Sequence, residues 1–426
     1  MKNAVALLQR PVKARDAHQA FVPLPLARPA VLRYNDTVPH QTVGAPRQKE
    51  LRMKISKQDA LTWFRFFAEL PEDEDLLPRQ QEIAWAVFSQ IEEAVDERFR
   101  QLKAQIPGLK TIGGRTFFVG DEQRFSAGCR SCLTGTGLSA VRKTNKCNLQ
   151  CKFCYDYGVM DQLPPVGEGM WEIGGTKFRA EDIDLLLSIQ QRPTGISYVY
   201  LEPFMEIEEY SPIIRRFHEA GVHQHMYTNG TLANEHNLSE LGRAGLNELR
   251  FNLGASGCAD GVIEAMRIAK RHIPFVGVET PMTPELYKTF LRKKDDILST
   301  GIDFINLAEL HLNPNNLGNY WGENLYLCRR GYVSPVWSRE LTLKLMKQAD
   351  EEGWAPVVHD CSNHTKFARD LNLRAREGGW FGASSYGCEF DRLPYEAFLP
   401  ILNDPDFTFL SEEPLPAGYR PGDLVL

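Results

Sequence analysis

"ISYVYLEP" (196–203), "YSPIIRRFHEAG" (210–221) and "HQHMYTNG" (223–230) follow one another closely in the chain. The outer two are short apolar runs that stop at Pro or Asn-Gly, as strands do, and the middle one is a helix candidate. The same texture extends in both directions. Runs of strand type recur at "LSAVRKT" (138–144), "ELRFNLGA" (248–255), "PFVGVETP" (274–281), "DFINLAEL" (303–310) and "APVVHDCS" (355–362). Helix candidates lie between them, among them "EDIDLLLSIQQ" (181–191) and "TPELYKTFLRKKDDILSTG" (283–301). Alternation at this spacing predicts βα units around a parallel sheet, as a barrel or part of one. In such folds the carboxyl ends of the strands line the active site. Glu202, Asn229, Asn252, Glu279, Glu309 and His359 each sit at or just past a predicted strand end.

The 426-residue chain is long enough for two or three domains, or for one enlarged barrel. Residues 1–54 stand apart, with Pro11, Pro23, Pro25, Pro29, Pro39 and Pro46, many Lys and Arg, and few acids. They read as an extended, partly disordered basic arm, either a solvated tail or clasp over the body, or a contact with an acidic partner such as RNA. Farther on, Ile83, Val87, Ile91, Val95 and Phe99 recur every fourth position and draw one apolar helical stripe. The expected division is therefore an arm at 1–54, a helical extension at 55–126, a core at 127–376 and a C-terminal cap or tail at 377–426.

A net charge of −6 makes no global case for nucleic-acid binding. No apolar run approaches the roughly 20 residues that span a bilayer, and no secretory signal pattern opens the chain. Both features predict a cytoplasmic protein. Nine cysteines, an odd number, point to reduced or metal-bound thiols rather than a disulfide framework.

Three of those cysteines crowd into "NKCNLQCKFCYDYG" (145–158): Cys147, Cys151 and Cys154. A zinc site, a disulfide cluster and an iron–sulfur cluster short of one ligand all start from such a loop. Structural zinc normally takes four N or S ligands, often as paired C-x2-C elements. Here the loop supplies three, spaced C-x3-C-x2-C, directly after the first predicted parallel strand. Three thiolates on a cubane leave one iron open to a small molecule, whereas four-cysteine ligation is usual for electron transfer.

This loop resembles the signature of the radical S-adenosylmethionine (SAM) superfamily, and the chain from about 127 to 376 is similar to an uncharacterised group related to pyruvate formate-lyase activating enzyme. The resemblance implies a [4Fe-4S] cluster on Cys147, Cys151 and Cys154 whose open iron chelates SAM. It further implies reductive cleavage to a 5′-deoxyadenosyl radical that abstracts hydrogen from a substrate. Phe153 then lies near the adenine. Glu202 of "YLEP" (200–203) pairs with the SAM ammonium, although Tyr200 and Leu201 stand where the family's element has two glycines. Asn229 of "MYTNGTL" (226–232), Asn252 of "RFNLGAS" (250–256) and Glu279 of "VGVETP" (276–281) are the further cofactor-binding candidates by the same likeness. An electron donor such as flavodoxin or ferredoxin is the implied partner.

Elsewhere, "AGCRSCLTG" (127–135) carries Cys129 and Cys132 at C-x2-C spacing, which needs further ligands to hold a metal. Cys361 and Cys388 are candidates to complete a second site with iron–sulfur or zinc, the alternative being buried thiols that behave as small hydrophobes. On the substrate side Asn306, Glu309, His311 and His359 are expected, with Glu309 and His359 as catalytic candidates. His359 is singled out because a histidine ordinarily titrates near neutrality. The expected fold is α/β, a partial (β/α)6-type TIM barrel with an N-terminal helical extension and a C-terminal cap. The expected activity is radical chemistry on a peptide, protein or small metabolite. The alternatives are an RNA-modifying version of that chemistry and a non-catalytic zinc protein.

Overall fold

A computed structural model describes residues 97–112, 116–134, 138–162, 164–173, 176–189, 195–313, 315–320, 323, 325–328 and 332–362. The basic arm, the cap expected at 377–426 and Cys388 lie outside them. Nine strands form one sheet: β1 (Lys110–Ile112), β2 (Thr116–Val119), β3 (Leu138–Val141), β6 (Gly195–Tyr198), β7 (His223–Thr228), β8 (Glu248–Phe251), β9 (Phe275–Pro281), β10 (Phe304–Ala308) and β13 (Val357–Cys361). Two separate two-stranded antiparallel sheets pair β4 (Trp171–Ile173) with β5 (Thr176–Phe178), and β11 (Leu325–Cys328) with β12 (Tyr332–Pro335).

From β3 through β6, β7, β8, β9 and β10 to β13 the sheet is parallel, and the strands keep their chain order. All seven parallel strands fall on the seven apolar runs of the sequence. β2 pairs antiparallel with β13, and β1 with β2. Residues 97–103 are helical, but 110–112 and 116–119, expected within a helical extension, are paired strands instead. The β-branched and aromatic run Thr116-Phe117-Phe118 suits a half-buried pleat better than a helix.

The helices are α1 (Ala127–Thr134), α2 (Ile183–Ile189), α3 (Tyr210–Glu219), α4 (Glu235–Ala244), the single turn α5 (Leu253–Ser256), α6 (Asp260–His272), α7 (Pro284–Ser299) and α8 (Val336–Glu352). Local chemistry sets their ends. Thr283 caps α7 through the Leu286 N–H with Pro284 in the first turn, and Asn234 forms a capping box with Asn237 at α4. α3 buries Tyr210, Ile213, Ile214 and Phe217, one helical stripe. α3 packs on α4, α4 on α6, and α7 on α8.

Along the parallel strands, side chains of one parity enter the main apolar core with those helices. Ile196, Tyr198, Met226, Leu249, Phe251, Val278, Ile305, Leu307 and Val358 are of this kind. The other parity faces a cavity: Ser197, Tyr227, Asn229, Arg250, Asn252, Glu279, Asn306, His359 and Cys361. This is the period-two pleat at work. α1 packs against β3, β6 and β7 and contributes Gly128, Cys129, Cys132 and Leu133 to the cavity lining. It approaches closely enough that a Cβ on Gly128 would stand 2.6 Å from both Arg250 Nη2 and His225 Nδ1.

Candidate active site

The cavity has a volume of about 530 Å³. Cys147, Cys151, Phe153 and Cys154 line it from the loop after β3, and Glu202, Asn229, Asn252, Glu279, Glu309 and His359 line it from elsewhere. Cys129, Cys132 and Cys361 open into the same space. Strand register explains part of this convergence, because Glu279, Asn306 and His359 stand side by side on β9, β10 and β13.

The cysteine loop is held by its backbone. Asn313 Nδ2 and Asn315 Nδ2 donate to the Tyr155 carbonyl at 2.9 and 3.1 Å. Asn316 Nδ2 donates to the Phe153 carbonyl at 3.3 Å and Asn319 Nδ2 to the Lys152 carbonyl at 2.9 Å. On the other side, Asn229 Nδ2 donates to Asn148 Oδ1 at 2.8 Å and lies 4.0 Å from Cys147 Sγ. The Phe153 ring edge lies against Gly254, in the turn that the Asn252 side chain caps through the Ala255 N–H. Asn252 Oδ1 also accepts from Thr280 Oγ1 at 2.8 Å.

Burial pushes the Cys151 thiol up to about 12, with Cys154, Cys147 and Glu202 adding to the effect. Burial likewise pushes Cys154 up to about 11 and raises Cys147. Burial and the neighbouring acidic groups thus keep the metal-free thiols protonated, and a metal that bound them would displace those protons. Among the described residues, no three His, Cys, Asp or Glu side chains converge on a single ion position.

Glu202 is 1% exposed. Its Oε1 accepts from the Phe204 N–H and Thr228 Oγ1 at 3.1 and 2.8 Å, and its Oε2 from the Asn229 N–H at 2.6 Å. Burial raises its pKa and these three donors work against that rise. A carboxylate accepts about four such bonds, so one acceptor position remains on Oε2. Immediately before it, Tyr200 and Leu201 take φ of +74° and +55°. Two side-chain-bearing residues thus hold the left-handed backbone that glycine adopts without strain.

Glu309 is 1% exposed and accepts from the Tyr326 hydroxyl. His359 is held far from the near-neutral range expected of it. Burial first, and then the Arg250 guanidinium, push it down to about 3, so it stays neutral at physiological pH. The reason is burial among β10, β13 and Phe125, whose ring centroid lies 4.6 Å from the imidazole.

Several residues that build the site went unread in the sequence. Arg250, 2% exposed, pairs with Glu248 at 2.5 Å and with Glu279, and donates to Ser126 Oγ at 2.8 Å and to the Tyr227 hydroxyl at 3.0 Å. Burial alone would raise Glu248, but Arg250 and then His223 hold it well below the usual carboxylate range. The available signal was "ELRF", where Glu and Arg share one face of an otherwise apolar strand. The four asparagines that grip the loop had only "NPNNLGN" (313–319), which reads as a turn.

No family model matches the chain, and no curated protein matches it. Among solved structures, SuiB of Streptococcus suis bound to S-adenosylmethionine aligns at 14% identity over 60% of this chain and 56% of that one, with a TM-score of 0.39. SuiB bound to its precursor peptide SuiA aligns at 13% over 79% and 73%, with a TM-score of 0.36. The radical S-adenosylmethionine methyltransferase TsrM of Kitasatospora setae, with cobalamin and a [4Fe-4S] cluster, aligns at 14% over 43% and 39%, with a TM-score of 0.31. The chain thus spans 56% of the first of these structures and 39% of TsrM. At such scores the likeness assigns no chemistry.

Proposed function

We propose that the chain is a radical SAM enzyme that holds a [4Fe-4S] cluster on Cys147, Cys151 and Cys154 and reads the parallel sheet as a partial barrel around it. The observation that carries this reading is the meeting of that three-thiol loop with the carboxyl ends of β6, β7, β8 and β9 in one cavity. The donor set fits the cluster. The three thiols line one space from a single loop, and three thiolates leave one iron of a cubane open to a small molecule. When bound, such a cluster supplies one-electron reductive cleavage of the SAM sulfonium, fed by an external donor of the flavodoxin or ferredoxin kind.

The rest is the work of the chain's own residues. Asn313, Asn315, Asn316 and Asn319 fix the backbone around Cys154 so that the sulfur keeps its place. The acceptor position left on Glu202 Oε2 suits an ammonium group, as a charge-assisted pair. The left-handed backbone at Tyr200 and Leu201 aims that carboxylate. His359, buried and held down to about 3, is neutral near pH 7, with Nε2 3.5 Å from Cys129 Sγ.

The test is anaerobic reconstitution with iron and sulfide, reduction, addition of SAM and detection of 5′-deoxyadenosine by mass. Cys151→Ala is expected to abolish the product. Undiminished product from that variant removes the ligand assignment.

A further inference from the structure

We propose that Asn306 and His359, with Glu279 beside them, form a subsite that takes a carboxamide group; naming the substrate class in this way rests on the radical reading above. Glu279, Asn306 and His359 occupy one row across β9, β10 and β13, and all three line the cavity. Neighbouring strands stand about 4.8 Å apart, so one small polar group can reach adjacent members of the row. Asn306 and His359 are each 2% exposed. Asn306 Oδ1 and His359 Nδ1 have no hydrogen-bond partner among the described residues. Buried polar atoms are usually paired, so two orphans on adjacent strands at a cavity wall mark the place of a ligand group.

The thiol between them fixes what they offer. Cys129 Sγ lies 3.8 Å from Asn306 Nδ2, which only donates, and 3.5 Å from His359 Nε2. Burial raises Cys129 well above the ordinary thiol value, so its S–H persists and finds an acceptor in Nε2 of the neutral imidazole. The imidazole hydrogen is then on Nδ1. His359 offers a donor and Asn306 an acceptor. Turning the Asn306 amide over and letting the imidazole donate to sulfur exchanges the two roles, and one of each remains. A primary carboxamide carries the matching pair, a carbonyl oxygen and an N–H. Its second N–H suits Glu279, whose Oε2 pairs with Arg250 and whose Oε1 has no hydrogen-bond partner among the described residues. A carboxylate lacks the donor and would face Glu279, whereas an ammonium lacks the acceptor.

The experiment measures binding to the reconstituted full chain by ligand-detected nuclear magnetic resonance. The probes are propanamide, its charged isostere propanoate and its neutral isostere butanone. Propanamide is expected to bind about tenfold tighter than either. N-acetylglutamine methylamide, compared with propanamide, assigns the source: tighter binding points to a peptide side chain, weaker binding to a free small amide. Asn306→Leu/His359→Phe is expected to remove the preference for propanamide. That variant exchanges the orphan atoms for apolar groups of similar shape, which costs little stability, and circular dichroism checks its fold. Should it misfold, propanamide against butanone on the wild type decides alone. Equal binding of those two, the result when a buried water serves both atoms, overturns the proposal. A preference kept in full by the folded double variant also overturns it. The preference in a chain that makes no 5′-deoxyadenosine would remove the radical reading and leave this site standing, and 5′-deoxyadenosine without the preference would do the reverse.

Discussion

Asn313 Nδ2 donates to the Tyr155 carbonyl at 2.9 Å, joining two segments 158 residues apart. With Asn315, Asn316 and Asn319 it grips the peptide carbonyls on both sides of Cys154. The sulfur-bearing loop is thus anchored through its backbone, by side chains that have no metal-binding chemistry of their own. Asn313→Ala and Asn316→Ala are each expected to cost about 1 kcal/mol of stability. Together they should speed the loss of visible absorbance when reconstituted protein meets a chelator. A loss rate equal to wild type would mean the grip is incidental.

The backbone at Tyr200 tests a different relation. A side chain at positive φ costs roughly 1–2 kcal/mol, and β-branched residues fit there worst. Tyr200→Gly is expected to leave the melting temperature unchanged or raised, and Tyr200→Val to lower it, each followed by thermal denaturation. The reverse order would show that the tyrosine ring, rather than the backbone, decides this position.

Gly128 is required by close approach. A methyl group there meets Arg250 and His225 at 2.6 Å, both buried and unable to retreat far. Gly128→Ala should cost about 1–3 kcal/mol, read as a lower urea midpoint at constant slope.

Arg250→Leu removes the cation between two carboxylates. Breaking a buried pair costs about 3–5 kcal/mol. In the wild type, Glu248 is held below its unfolded value, so its contribution is present above that value and is lost only as pH falls through the lower folded one. In the variant its folded value lies above the unfolded one, so the penalty is full at pH 7 and shrinks as pH falls. Urea midpoints of the two proteins at pH 7 and pH 5 should therefore approach each other on acidification.

The loop thiols give a pH prediction for the metal-free chain. Raising Cys151 from an ordinary value near 9 to about 12 lowers its thiolate fraction at pH 8 on the order of a thousandfold. Iodoacetamide should modify Cys151 far more slowly in the folded chain than in urea, and the folded rate should still be climbing at pH 10. Equal rates in the two states would place the thiol outside the buried site.

The sequence alone determined the seven parallel strands, because apolar runs and their turn residues act on neighbours a few positions away. It also placed the three loop cysteines, since their spacing is local. Only the tertiary structure decided what meets them. The partners of Phe153 and Tyr155 lie in an asparagine-rich turn more than a hundred residues on, and nothing in that turn's composition names a target. Arg250 met Glu279 through strand order and pleat parity, and Cys129 met His359 through the packing of α1, all of which arise only when the whole sheet assembles. The same assembly buried His359 and took it out of the neutral titration range that its residue type suggests. Burial belongs to the fold as a whole, and no single stretch of chain encodes it.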